Sequence, residues 1–201
     1  MAFQIHVDAA TRAHGVSAFL PWHRYYVWKL EEELLKIDSR VVIPYWDWSL
    51  DSQAPEVSII FLDSLFGGNG RANDSCVTNG RFKDWKVAYP NPSCLKRNFD
   101  GGSKLSAFYA TEQMDLLVQG SGTYDAFRQA LEGAPHGTPH NNIGGFMATM
   151  HSSNDPIFWL HHGFIDKLWH DFQSRQGKRR LYSAKSNLQE NLPPFDVTVE
   201  Q

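Results

Sequence analysis

Asn154-Asp155-Pro156-Ile157-Phe158-Trp159-Leu160-His161-His162-Gly163-Phe164-Ile165-Asp166-Lys167-Leu168-Trp169 carries the clearest local signal in the chain. Asp155 can cap a helix, and Pro156 fits the first turn, where a missing N–H costs nothing. Phe158, His162, Ile165 and Trp169 then recur at steps of four, three and four, one stripe of a helix. This is the strongest helical pattern of the chain, and it carries two adjacent histidines. Upstream, residues 123–131 read as a second helix with Tyr124, Phe127 and Leu131 on one face. Residues 22–37 read as a third, started by Pro21, with Tyr26, Leu30, Leu34 and Ile37 at helical spacing. Val41-Val42-Ile43-Pro44-Tyr45-Trp46 is a short apolar run ended by Asp47. Residues 51–105 carry Gly, Asn, Asp, Ser and Pro throughout and read as a long irregular segment, which at that length is functional or stapled. The tail after Ser174 turns basic and then Pro-containing, and no repeat of solenoid period is present. These elements predict a mainly α fold with long loops and little sheet, a single domain over residues 1–201.

Composition narrows the function classes. The chain has 201 residues, with 19 Lys and Arg against 22 Asp and Glu, so its formal net charge is −3. A 42% hydrophobic content with 13% aromatic residues excludes disorder. The longest basic run is Lys178-Arg179-Arg180, so no nucleic-acid partner is expected. No membrane span is expected either, because the apolar stretch 57–66 is broken by Asp63. The start, Met1-Ala2-Phe3-Gln4-Ile5-His6, has neither the charged nor the apolar region of a signal peptide. Cys76 and Cys94 lack zinc-finger spacing; they read either as a disulfide closing a surface loop or as two thiols of a reducing compartment. The glycosylation sequon Asn73-Asp74-Ser75 in the same loop leans toward secretion.

Seven of the nine histidines fall into two sets. His6, His14 and His23 are spaced by eight and nine residues; His136 and His140 are four apart and are followed by the His161-His162 pair. Histidines at i and i+4 share one helix face, as a bidentate metal clamp requires, and a third imidazole from another helix closes a three-histidine site. Neutral imidazole suits zinc, copper, iron and nickel alike. Against this, a lone histidine is more often a surface or hydrogen-bonded core residue, and one i,i+4 pair arises by chance in many chains. Pro139 directly before His140 predicts a helix starting there, with His136 at its very edge.

Local context supports the metal reading. His14-Gly15-Val16-Ser17-Ala18-Phe19-Leu20-Pro21-Trp22-His23-Arg24 resembles the first copper-site signature of the tyrosinase family of coupled binuclear copper proteins. Asn154-Asp155-Pro156-Ile157-Phe158-Trp159-Leu160-His161-His162, with Asp166 and Trp169, resembles the second. Pro44-Tyr45-Trp46-Asp47-Trp48 and His140-Asn141-Asn142-Ile143-Gly144-Gly145 also match, in the right order, and the short step from His6 to His14 with the loop from Cys76 to Phe82 looks most like the fungal branch. The resemblance implies a four-helix bundle holding two copper ions per chain. Copper A would take His6, His14 and His23; copper B would take His136, His140 and one of the adjacent pair. His162 is preferred to His161 because related oxygen carriers have a single histidine four residues before the helix aspartate, here Asp166. Asp166 would then orient that imidazole.

The resemblance further implies oxidation of o-diphenols to o-quinones by O2, and in tyrosinases proper also ortho-hydroxylation of monophenols. The expected partners are therefore a small phenol and O2; the oligomeric state stays open. Glu132 matches the family glutamate that holds a water near the copper pair and would accept the phenol proton through it, whereas its bland reading is a helix-end surface residue. Gly137 stands where efficient hydroxylators often carry Asn, which favours diphenol oxidation. Arg12 stands where many members have a thioether-forming cysteine. The chain looks short before His6 and too short after Gln173 for a lid domain. Two other readings share these motifs: an oxygen-carrying module, and a copper-poor remnant. His151 and His170 match no ligand position and are expected in surface or structural roles.

Overall fold

In the computed structural model the stripe from Phe158 to Trp169 is the buried spine of the molecule. Helix α7, Ile157–Arg175, buries Phe158, His161, His162, Phe164, Leu168 and Phe172. Asp155 Oδ1 accepts the backbone N–H of Ile157 at 3.0 Å, relieving one of the amides that a helix start leaves unpaired. The structure describes residues 2–177 and 182–201; Met1, the run Lys178-Arg179-Arg180 and Leu181 lie outside the described residues.

Against α7 packs α3, Phe19–Leu35, which buries Phe19, Trp22, His23 and Tyr26. It starts at Phe19 rather than Trp22, with Pro21 accommodated inside its first turn. Two short helices precede it, α1 over Ala2–Asp8 and α2 over Ala10–Ala13. Later come α4, Thr111–Gly120, α5, Tyr124–Glu132, and α6, Ala134–Ile143. The Thr123 hydroxyl caps α5 by accepting from the Ala126 amide. The sequence does not announce α4, because it buries only Met114 and Val118 and the rest of its surface is mixed. Helix α6 corrects the expectation that a helix begins near His140 with His136 at its edge. It starts at Ala134 and runs through Pro139. The bond that Pro139 cannot donate would go to the Pro135 carbonyl, so a single rung of the ladder is lost and both histidines stay on one helix.

Residues 51–105 are irregular, as read. They contain two 3-10 turns, Pro55–Val57 and Ile59–Phe61, and one two-stranded antiparallel hairpin of β1, Lys86–Val87, with β2, Ser93–Cys94. Lys86 lies opposite Cys94 and Val87 opposite Ser93. A disulfide joins Cys76 to Cys94 across 18 residues, which resolves the open choice between bridge and thiols; closing a loop of that size is worth about 3 kcal/mol. The second staple is ionic. Arg97, fully buried, donates through Nε and Nη2 to both carboxylate oxygens of Asp155 at 2.7 and 2.9 Å. Its Nη1 serves the Phe66, Gly67 and Gly68 carbonyls at 3.1, 2.6 and 3.2 Å. One side chain thus ties the long loop to the start of α7.

The C-terminal residues 182–201 return to α3. Trp22 Nε1 donates to the Pro193 carbonyl at 2.8 Å, and the Phe195 ring lies 4.8 Å from that of Tyr25. Among the described residues, buried side chains of every helix but α1 join one continuous apolar cluster, and Ile5 of α1 packs against it. Among the described residues no helix is long and apolar enough to cross a membrane.

Removing one partner of a buried, hydrogen-bonded ion pair leaves the other charge uncompensated. Arg97→Met is therefore expected to lower unfolding free energy by about 3–5 kcal/mol in urea denaturation. A midpoint within error of the parent would show that Arg97 does not anchor the loop.

Candidate metal centre

Four helices and one turn bring the histidines together. His6 comes from α1, His14 from the residue that ends α2, and His23 from α3. His136 and His140 come from α6, and His161 and His162 from α7. Two groups result, His6 with His14 and His23, and His136 with His140, His161 and His162. Within each group one ligand atom per residue lies within 4.8 Å of the others, so each could hold a metal ion. The groups adjoin: the rings of His23 and His162 stack at 4.3 Å.

Backbone carbonyls orient five of these rings. Nδ1 of His6 meets the Met150 carbonyl at 2.8 Å, that of His14 meets Ala10 at 3.1 Å, and that of His23 meets Phe19 at 2.8 Å. His136 Nδ1 meets the Glu132 carbonyl at 3.0 Å and His140 Nδ1 meets Met147 at 2.7 Å. A carbonyl only accepts, so each Nδ1 must carry the proton and each Nε2 must keep its lone pair. The i−4 partners of His14, His23 and His136 follow from helical geometry. The Met147 carbonyl is brought round by a turn at Gly144 and Gly145, whose φ values of 64° and 56° few other residues adopt.

The bare nitrogens then face one another. His6 Nε2 and His23 Nε2 are 3.4 Å apart, and His140 Nε2 and His162 Nε2 are also 3.4 Å apart. His136 Nε2 is buried with no partner among the described residues. In the His6–His23 pair both protons are already placed on Nδ1, so two lone pairs oppose each other, an arrangement that a cation resolves. Nitrogens at that separation can share one ion at the about 2.0–2.1 Å that imidazole takes to an ion such as zinc. The donor set is imidazole throughout, which fits copper.

Burial reinforces this state. Desolvation pushes His6 down to about 3 and His140 to about 4, and the neighbouring histidines push the same way. His23, His136 and His162 lie well below the ordinary value for the same leading reason, and His14 is lowered too. All six are therefore neutral near pH 7, as metal ligation requires.

His161 and His162 differ. Trp48 Nε1 donates to His161 Nδ1 at 3.1 Å. His162 Nδ1 is buried with no partner among the described residues, while the Phe158 ring packs 4.2 Å from its ring. Asp166 does not orient His162. Its carboxylate takes the Arg24 Nε–H at 2.5 Å, and the Arg24 guanidinium stacks 3.8 Å over Trp169, so the aspartate braces α7 against α3. Glu132 is half-buried rather than a free surface group. It accepts from the Gly15 amide at 2.5 Å and from Arg128 Nη1 at 2.7 Å, which places its carboxylate beside the His14 turn. Gly137 sits directly after His136 on α6, and a Cβ there would meet only Asn141 Nδ2, at 3.8 Å. His170 is exposed, and His151 sits half-buried with its ring 5.3 Å from Tyr89. Sequence reasoning missed the carbonyls of Phe19, Met147 and Met150, which no residue type marks. It also missed Arg128, whose i,i+4 spacing to Glu132 was the available signal.

Comparison with known proteins places this geometry. The family model described as the common central domain of tyrosinase matches residues 2–175. The chain is 36% identical over 179 residues to a tyrosinase of Streptomyces antibioticus, a match covering 81% of this chain and 64% of that protein. To a tyrosinase of Streptomyces glaucescens it is 36% identical over 217 residues, covering 95% of this chain and 77% of that protein. The chain thus spans 64% of the first of these relatives and 77% of the second. Among solved structures, a polyphenol oxidase (mutant G292N) from Thermothelomyces thermophila superposes with a TM-score of 0.67 at 23% identity, covering 86% of this chain and 58% of that one, which supports the fold. With a family model running from α1 to the end of α7 and a relative matched along most of its length, the chain belongs to the tyrosinase family.

Proposed function

We propose that the chain is a dicopper oxidase that uses O2 to convert o-diphenols to o-quinones. His6, His14 and His23 would hold one copper, and His136, His140 and His162 the other. The observation that carries this reading is the set of five imidazoles whose Nδ1 is turned to a carbonyl, with the Nε2 atoms of His6 and His23 3.4 Å apart and that of His140 3.4 Å from His162 Nε2. Copper supplies the redox chemistry with O2, two diphenols yielding two quinones and two waters. The protein supplies geometry, a dry wall and a place for protons. His14 and His140 are the half-buried members and mark the side from which a phenol enters, while Phe158 and Phe19 close the rest. Glu132 is the proton acceptor we assign. Both its oxygens already accept one hydrogen bond, but a carboxylate has about four acceptor sites, so a water can still bridge it to the substrate. The disulfide and the exposed Asn73 of the sequon favour maturation outside a reducing compartment.

Ligand loss is the direct test. His23→Ala and His140→Ala are each expected to lose copper and diphenol oxidation, by metal analysis and initial rates. Full copper and full activity in either variant would remove that histidine from the centre.

Gly137 bears on the reaction type. Hydroxylating a monophenol requires its proton to leave first, and a polar side chain beside His136 would strengthen a glutamate-held water as base. Glycine gives no such partner, so weak or absent monophenol activity is expected. A Cβ at Gly137 meets only Asn141 Nδ2 in ordinary contact, and Gly137→Asn should raise the monophenol-to-diphenol rate ratio. One charged hydrogen bond of about 1.5–3 kcal/mol corresponds to roughly tenfold or more. A parent enzyme already as fast on a matched phenol as on the catechol would contradict the assignment.

Acid provides a third check. An imidazole of ordinary pKa 6.5 charges in the unfolded chain while buried His6 and His140 stay neutral to about 3 and 4. The unfolded state then binds more protons below 6.5, so stability is complete above that value and is lost as pH falls toward the folded values. The urea midpoint of metal-free protein should therefore drop between pH 7 and pH 5; a flat or rising midpoint would show the rings are not held neutral.

A further inference from the structure

Two adjacent imidazoles lie at the second histidine group, and distance does not choose between them, since His161 and His162 both fall within the cluster. Hydrogen bonding does. The Trp48 indole is fully buried, and its Nε1–H, which can only donate, points at His161 Nδ1 at 3.1 Å. That bond occupies the Nδ1 lone pair, so a neutral His161 ring must carry its proton on Nε2, which is buried with no partner among the described residues. This is the reverse of the five carbonyl-oriented rings. We propose that Trp48 is a positioning residue that selects the metal ligand on α7, holding His161 as an Nε2–H ring with no free lone pair and leaving His162 to bind. The proposal rests on the copper reading above for its second half only; the tautomer of His161 stands independently of it.

Three further features hold this arrangement. His161 is fully buried, and because the indole N–H can only donate, a second proton on Nδ1 would set two donors against each other at 3.1 Å. Trp48 is fixed by edge-on packing against Phe164 at 4.9 Å and Phe108 at 6.2 Å, rings that Trp48→Phe would keep in contact. The segment that carries Trp48 lies directly on α7: Trp46 N–H donates to the Leu160 carbonyl at 3.0 Å. Gly163 permits this approach, because a Cβ there would sit 3.2 Å from Tyr45 Cβ and 3.3 Å from Tyr45 Cα. The Pro44-Tyr45-Trp46-Asp47-Trp48 run is thus the device by which the chain reaches His161.

The first measurement uses the metal-free parent protein. Nitrogen NMR should show His161 protonated on Nε2, with a nitrogen–nitrogen coupling across the hydrogen bond from Trp48 Nε1 to His161 Nδ1. His6, His14, His23, His136 and His140 should be protonated on Nδ1. A His161 protonated on Nδ1, or no coupling to Trp48, overturns the proposal whatever copper does. The second measurement is copper titration of His162→Ala with and without Trp48→Phe, each checked for native near-ultraviolet dichroism. His162→Ala should lose the second copper, and adding Trp48→Phe should recover affinity by several-fold to about tenfold, the worth of one neutral hydrogen bond. A folded double variant that binds no more copper than His162→Ala overturns the selecting role. A parent protein that binds no copper, yet shows the expected tautomers, would instead sink the oxidase reading.

Discussion

A carbonyl oxygen can accept a hydrogen bond and never donate one, and this asymmetry orders the centre of the protein. Five imidazoles are pinned through Nδ1 to the carbonyls of Met150, Ala10, Phe19, Glu132 and Met147. Each ring is thereby given one tautomer and one direction. Side-chain acceptors could do the same, but a carboxylate would add charge beside each imidazole and raise its basicity. Neutral backbone acceptors leave the rings neutral, and burial then keeps protons off them. The fold can be read as the scaffold that delivers those five carbonyls: three from helical turns, one from the glycine turn after α6, and one from the loop before α7.

That scaffold depends on where α7 starts. Asp155 both relieves the first amide of α7 and receives Arg97, which gathers three carbonyls of the long loop. The loop therefore cannot drift without exposing a buried charge. The other side of α7 is braced by the Arg24–Asp166 contact and the stack of Arg24 on Trp169. Both partners of that pair are about one-third exposed, so its contribution is orientation more than energy.

The sequence was legible where local rules dominate. The stripe of α7, the helix read over 123–131, the irregular stretch 51–105 and the two sets of histidines were all visible, because periodicity, turn residues and spacing are local signals. It misled where a local rule met a tertiary one. Pro139 suggested a helix boundary, yet α6 passes through it, since keeping His136 and His140 on one face outweighs one lost rung. Asp166 stood at the right step from His162 but found a closer cation in Arg24, and no pattern along one helix can show what crosses from another. The carbonyls at Met147 and Met150 were illegible for the same reason. Trp48 belongs to a motif visible in the sequence, but its partner lies 113 residues away.

The histidine centre is locally frustrated. His136 Nε2, His161 Nε2 and His162 Nδ1 are buried without partners among the described residues, and each such group costs about 1–3 kcal/mol. The facing nitrogens of His6 and His23 add repulsion. A chain tolerates this only when the rest of the core over-determines the positions, as Phe19, Phe158 and Trp22 do around the rings. His6 belongs to the short α1, which Ile5 and the stacked contact of its ring with Tyr26 at 6.1 Å hold to the core. An ion bound between His6 and His23 would join α1 to α3 directly. Its binding energy would then also be folding energy for α1.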